Sequence, residues 1–244
     1  NLSLVEKLKE KLPNNFVLAK AYNSEEARSL EANGADMILN TGDVLTNTVL
    51  SAFENVKMKH SAFTLVNMIK ESNGKEMAIF LQDNPDPDAI ASGLTLQYIC
   101  KYCGIESKLY YGGAISHQNN KALINLLNLD LISIKTEEAA MDVVRSSGKV
   151  ALIEASIPSR NNVLPEGVTP NLIFDHHPVD TNLVKGDFVD IQTDIGATAT
   201  IMTKYIRQLN LEPDISLATA LLYGIRTDTK EFTRNTSPDD MKAA

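Results

Sequence analysis

Short runs rich in Val, Ile and Leu recur near residues 16–21, 36–39, 77–82, 106–111, 149–154, 171–174 and 187–191, and segments of helical period separate them. Runs this short and this apolar read as strands, and strands that alternate with helices build an α/β protein with a mainly parallel sheet. Helices are predicted near 4–12, 24–33, 44–72, 87–104, 117–128, 136–146, 195–210 and 214–226. The fold class is therefore α/β, a parallel sheet flanked by helices. Residues 43–72 contain neither Gly nor Pro, and the breaker cluster "ESNGKE" beyond them places a domain boundary near residue 73.

At 244 residues and 43% apolar, the chain has material for a sizeable core. Its formal charge of -8 argues against coating duplex DNA, which needs clustered Lys and Arg to neutralise phosphates. No apolar run approaches the roughly 20 residues of a membrane span, and the N-terminus lacks a secretory pattern, so a cytoplasmic location is the default. Cys100 and Cys103 form a CxxC without a second CxxC; two thiols on a helix face are favoured over a redox pair. The chain starts at Asn1 and stops at "DDMKAA", which reads as a fragment of something longer.

Residues 81–93, "LQDNPDPDAIASG", crowd Asp83, Asp86 and Asp88 at the end of an apolar run. Pro85 and Pro87 bias Asn84 and Asp86 toward extended backbone, where side chains two apart point the same way, so Asp86 and Asp88 are expected to project together. Close carboxylates repel unless a proton or cation lies between them. Capping of the following helix is the competing reading, and the cluster alone does not decide it. A second apolar run ends in "FDHHPVD", with Asp175, His176 and His177, and ligand sites in open α/β sheets form along the carboxyl edge. An adjacent His pair at a strand end points to a metal or catalytic site. In "LLYGIRTDTKEFT" an apolar helix is expected to break at Gly224 and release Asp228, where a capping role competes. Glu154 closes another buried strand, and an acid there hints at a nearby cation.

Together "NPDPDAIASG", "ALIEASIPSRNN", "FDHHPVD", "DIGATATIM" and "YGIRTDTKEF" resemble the DHH phosphoesterase family over roughly residues 76–236. That family includes RecJ-type exonucleases, oligoribonucleases that also act on 3'-phosphoadenosine 5'-phosphate, exopolyphosphatase and manganese inorganic pyrophosphatases. The resemblance implies two divalent ions at the sheet edge, Mn or else Mg or Co. By position, Asp86 resembles a ligand of the first ion and Asp88 of the second, with Glu154 in the bridging place. His176 and Asp228 complete the second set, His177 resembles the group that meets the scissile phosphate, and Asp175 the acid that orients the histidines. Asp83 has no ligand role and is expected to be a loop or capping residue. Segment 112–120, "GGAISHQNN", is a candidate lining of the substrate cleft through His117 and Asn120, with a solvated loop as the alternative.

Two departures weaken the first-ion set. The family's metal-binding histidine is replaced by Gln82, a neutral amide, and its bridging aspartate by Glu154. The family's small C-terminal substrate domain is absent from these residues. The stretch "VLAKAYNSEEARSLEANGADMILN" is similar to the back half of TrkA-type, or RCK, nucleotide-binding domains, without the glycine-rich phosphate turn. The expected organisation is a partial Rossmann half at 1–50, a linker helix at 51–73 and a DHH domain at 74–244. The expected activity is metal-dependent hydrolysis of phosphodiester or phosphomonoester bonds in small nucleotides or short single-stranded oligonucleotides, in a chain that could act as a homodimer. The alternative is a regulatory nucleotide-binding protein with weakened catalysis; a purely structural α/β module is the third reading.

Overall fold

The computed structural model describes residues 2–115 and 118–244. His117 lies outside the described residues. Two compact units, Asn1–Lys59 and His60–Ala244, divide the chain. The division falls within the residues of one helix rather than at the breaker cluster near residue 73, because Ala62, Leu65 and Ile69 are already buried.

The smaller unit contains α1 (Leu2–Lys11), β1 (Leu18–Ala21), α2 (Ser24–Ala32), β2 (Met37–Asn40) and the start of α3 (Thr41–Lys70). Strands β1 and β2 pair in parallel. Asn23 caps α2 by accepting from Glu26 N at 2.8 Å, the usual satisfaction of a free helix amide. Val5, Ala21, Leu30 and Ala35 form its core.

The larger unit holds β3 (Met77–Leu81), α4 (Pro87–Tyr102), β4 (Ser107–Tyr111), α5 (Gln118–Leu126), β5 (Leu131–Ser133), α6 (Glu137–Ser146), β6 (Lys149–Ile153), β7 (Leu172–Asp175), β8 (Phe188–Ile191), α7 (Thr198–Gln208), α8 (Ile215–Asp228) and α9 (Pro238–Ala243). All strand pairs are parallel, in the order β5-β4-β3-β6-β7-β8. The expected α/β class and parallel sheet are therefore present. Every residue of β3 is buried, as a strand covered on both faces requires, and each large aliphatic side chain so buried contributes about 1.5–3 kcal/mol. Phe174 packs edge-on against Tyr205 with ring centroids 5.4 Å apart, joining β7 to α7.

The chain winds outward from β3 to β4 and β5, then returns to place β6 on the other side of β3. The crevice beyond the carboxyl ends of β3 and β6 is thus a topological switch point, where ligands bind in open α/β sheets. Register aligns that edge: Leu81 pairs with Ile153 and Ile153 with Phe174, so Gln82, Glu154 and Asp175 come next side by side.

Gly224 does not break α8. It lies buried inside the helix, where an added Cβ would sit 3.1 Å from Asp88 Cα and 3.2 Å from the Pro87 carbonyl oxygen. Its role is close approach of α8 to α4, which leaves Asp228 in the last turn. Cys100 is buried and Cys103 caps α4; burial raises both thiols, Cys100 to about 12, as expected of packed rather than redox cysteines. Among the described residues, no helix is long and apolar enough to cross a membrane.

Candidate metal centre

The loop after β3 departs from the extended path expected of it. Asn84 has φ 55, a left-handed conformation that asparagine tolerates, and its Oδ1 accepts from Ala114 N at 2.9 Å. Asp86 is extended but serves as N-cap of α4, accepting from Ala89 N at 2.9 Å, and Pro87 opens the helix. Asp88 already belongs to the first helical turn, so the two acids do not project in parallel from one extended segment. Asp83 is neither a cap nor part of the ligand group; its carboxylate lies against Gly112, one oxygen is buried without a partner among the described residues, and burial raises its pKa.

Asp88 is fully buried, and its two oxygens accept from Thr198 N and Ala199 N at 2.7 Å each. The N-terminus of α7 thereby offsets part of the cost of a buried charge. Burial, then the Glu154 and Asp228 carboxylates, still hold Asp88 well above the usual carboxylate range. Glu154 is 1% exposed and adopts φ 61, a left-handed conformation uncommon for a residue with a side chain. Its Oε1 lies 3.1 Å from His176 Nε2 and 3.6 Å from His177 Nδ1. Neither approach makes a hydrogen bond, so among the described residues both Glu154 oxygens and His176 Nε2 are buried without partners.

His176 Nδ1 lies 3.1 Å from the Ile195 carbonyl, which can only accept, so Nδ1 carries the hydrogen and Nε2 faces Glu154 and, at 3.2 Å, Asp228. Burial works to lower the His176 pKa, but the Asp228 and Glu154 carboxylates outweigh it and raise it to about 12. Asp175 accepts from Ser156 Oγ at 2.5 Å and from His177 Nδ1 at 2.9 Å. These donors outweigh burial and lower its pKa, while Asp175 raises that of half-exposed His177.

Asp88, Glu154, His176 and Asp228 each bring one ligand atom within 4.8 Å of the others, and Glu154, His176 and His177 form an overlapping group. Neither group includes Asp86 or Gln82. The Gln82 side chain instead donates to Asp86 Oδ2 and accepts from Asn161, both at 3.0 Å. Burial and then the Glu154 charge raise Asp86 to about 6. Asn120 is buried and donates to the Pro85 carbonyl at 3.2 Å, fixing the loop that carries Asp86. Ser156 and Asn161 were not anticipated; both fall inside the "EASIPSRNN" stretch, but only the fold shows their partners.

Buried carboxylates around an imidazole, with three orphaned ligand atoms, are what a divalent cation satisfies. The mixed oxygen and nitrogen donors suit Mn, Mg or Co better than a structural zinc. The donor set therefore fits the ion implied by the sequence motifs.

No protein-family model matches the sequence. The chain is 31% identical to an uncharacterized protein of Methanocaldococcus jannaschii, across 100% of this chain and 52% of the relative. It is 24% identical to a probable manganese-dependent inorganic pyrophosphatase of Listeria monocytogenes, across 68% of this chain and 52% of the relative. The chain thus spans about half the length of the curated relatives it matches. Among solved structures it is similar to an exopolyphosphatase-related protein of Bacteroides fragilis, with a TM-score of 0.55 and 17% identity over 69% of this chain and 50% of that one. The α/β architecture implied by the resemblance to the DHH phosphoesterases is thereby shown as a fold.

Proposed function

We propose that the chain carries a divalent-metal-dependent phosphoesterase centre that hydrolyses phosphodiester or phosphomonoester bonds of small nucleotides or short single-stranded oligonucleotides. The observation that carries the reading is the convergence of Asp88, Glu154, His176 and Asp228 at the sheet's switch point, with both Glu154 carboxylate oxygens and His176 Nε2 left without hydrogen-bond partners among the described residues. These four residues would hold the ion, Mn being favoured by the manganese-dependent relatives. Bound there, it would polarise a phosphoryl oxygen and lower the pKa of water.

The chain's own residues supply the rest. Asp175 fixes His177 through Nδ1 and raises its pKa, so the free Nε2 of the half-exposed ring can donate to a phosphate oxygen. Ser156 holds Asp175 from the far side and, after His177, lowers its pKa against the effect of burial. A cavity of about 410 Å³ over the ends of β4 and β5 is lined by Lys121, Lys135 and Tyr111, which suits a phosphate joined to a planar group. Gly113 and Ala114 form its wall beside Asn84, next to the loop of Asp86.

Mn-stimulated hydrolysis of a dinucleotide by the full-length protein, abolished by Asp88→Ala or His176→Ala, is the expected result. Absence of turnover under any divalent metal would sink the reading. The Gln82 contacts favour a second reading, a nucleotide-binding regulator with one ion and weakened catalysis, because they engage Asp86 away from the ligand group. Two tightly bound ions per chain would contradict it. Under it, Gln82→His combined with Glu154→Asp raises activity.

A further inference from the structure

The segment "DIGATATIM" has no role in the chemistry above, yet its backbone touches two of the four residues that would hold the ion. Thr198 N and Ala199 N hold Asp88, and the Ile195 carbonyl orients His176. Residues 195–199 therefore set the direction of both side chains. Local capping does not secure it: Ala197, the N-cap of α7, offers no capping bond, and among the described residues Thr198 Oγ1 is buried without a partner.

Buried Ile195, Ile201 and Met202 pack the segment into the core, and its polar restraint comes from Asp240, in α9. Its carboxylate is fully buried and accepts four hydrogen bonds. Oδ2 accepts from Gly196 N at 2.9 Å and from Ser237 N and Ser237 Oγ at 2.7 Å; Oδ1 accepts from Thr200 Oγ1 at 2.6 Å. One carboxylate thus grips the chain on both sides of the two amides that hold Asp88, at Gly196 before α7 and at Thr200 in its first turn. The fit leaves no slack at Gly196, where an added Cβ would lie 2.6 Å from both the Asn235 carbonyl oxygen and Thr229 Cγ2. Thr229 directly follows Asp228, so the same contact region borders a third residue of the metal group.

We infer that Asp240 is a positioning residue of the metal centre: by clamping the first turn of α7 it holds Asp88 and His176 in ligating orientation. The inference rests on the metal reading proposed above. Residues that orient metal ligands typically govern affinity by 10- to 100-fold.

The test is a Mn(II) titration of the full-length protein followed by electron paramagnetic resonance, with thermal unfolding recorded in parallel. Asp240→Ala is expected to weaken Mn(II) about 10- to 100-fold and to alter the bound-ion spectrum. Asp240→Asn keeps the shape and an acceptor oxygen, and restores affinity to within about threefold. Ser237→Ala loosens the α9 cap but leaves the Gly196 and Thr200 bonds; it lowers the melting temperature without moving Mn(II) affinity. A folded Asp240→Ala protein with wild-type affinity and spectrum overturns the inference. If that variant does not fold, Thr200→Val decides: it removes one bond to α7, and unchanged affinity and spectrum overturn the inference. Failure of the wild-type protein to bind Mn(II) overturns the metal reading itself, whereas wild-type binding with no response to these variants overturns only the role of Asp240.

Discussion

Replacing Gly224 by alanine sets two effects of known size against each other. Inside a helix, alanine is favoured over glycine by about 1 kcal/mol, so propensity alone predicts a more stable protein. The new Cβ, however, would lie 3.1 Å from Asp88 Cα, 3.2 Å from the Pro87 carbonyl oxygen and 3.3 Å from Ala91 Cβ. The first two contacts are backbone of the first turn of α4 and cannot rotate aside, so α8 must retreat by a few tenths of an ångström. Overpacking of this kind costs about 1–3 kcal/mol, which outweighs the propensity gain and leaves a net loss near 1 kcal/mol. For a domain of this size, that lowers the melting temperature by about 2–4 °C. The retreat also parts Asp88 on α4 from Asp228 on α8, so Mn should lose affinity. At 100 times its dissociation constant, Mn stabilises the wild type by about 2.7 kcal/mol, and tenfold weaker binding cuts that to about 1.4 kcal/mol. Thermal and urea unfolding, each with and without Mn, measure both quantities. A Gly224→Ala protein stabilised by about 1 kcal/mol, with an undiminished response to Mn, would refute the close packing of α4 on α8.

Mn binding should release protons at neutral pH, because the Asp228 and Glu154 carboxylates hold His176 protonated and an ion takes the neutral imidazole; affinity therefore rises with pH. Calorimetry in buffers of different ionisation enthalpy detects that release, and its absence contradicts the assignment. In the metal-free protein, Asp86 titrates near 6, above its unfolded value, so the native state binds more protons between about pH 4 and 6 and stability falls as pH rises through that window. The Asp86 contribution amounts to roughly 3 kcal/mol, and Asp86→Asn should flatten the slope seen in urea titrations. Glu154→Gln removes a charge that raises both Asp86 and Asp88, so it should stabilise the metal-free protein at pH 7 while weakening Mn about tenfold or more, read by unfolding and by metal titration. Asp175→Asn should leave Mn affinity close to wild type but return the His177 pKa toward its ordinary value, visible in its ring proton shifts against pH.

The strands at the centre of the sheet were legible because burial on both faces leaves an unbroken apolar run, as in β3, β6 and β7. Strand β5, only Leu131–Ser133 and half-buried at the sheet's edge, carries no such run and was missed, as was six-residue α9. The acids and histidines of the site were legible because each interrupts an apolar segment at its carboxyl end. Their surroundings were not. Gly224 read as a helix breaker because glycine's backbone freedom is visible in a sequence, whereas a neighbouring helix that leaves no room for a Cβ is not. Asn84 read as extended because proline follows it, yet its side-chain bond to Ala114 holds the left-handed form. The amides of Thr198 and Ala199 carry no residue code at all: any non-proline side chain there would present the same N–H groups to Asp88.

The left-handed backbone of Glu154 has a bearing on how such a protein would respond to selection. At φ 61 glycine or asparagine is more comfortable than glutamate by an amount on the order of 1 kcal/mol, and neither would bury a carboxylate charge. A library screened for thermal tolerance alone, without a metal-dependent readout, should therefore enrich glycine or asparagine at position 154 early, discarding the ligand while improving the fold. Durability and chemistry pull in opposite directions at this one position.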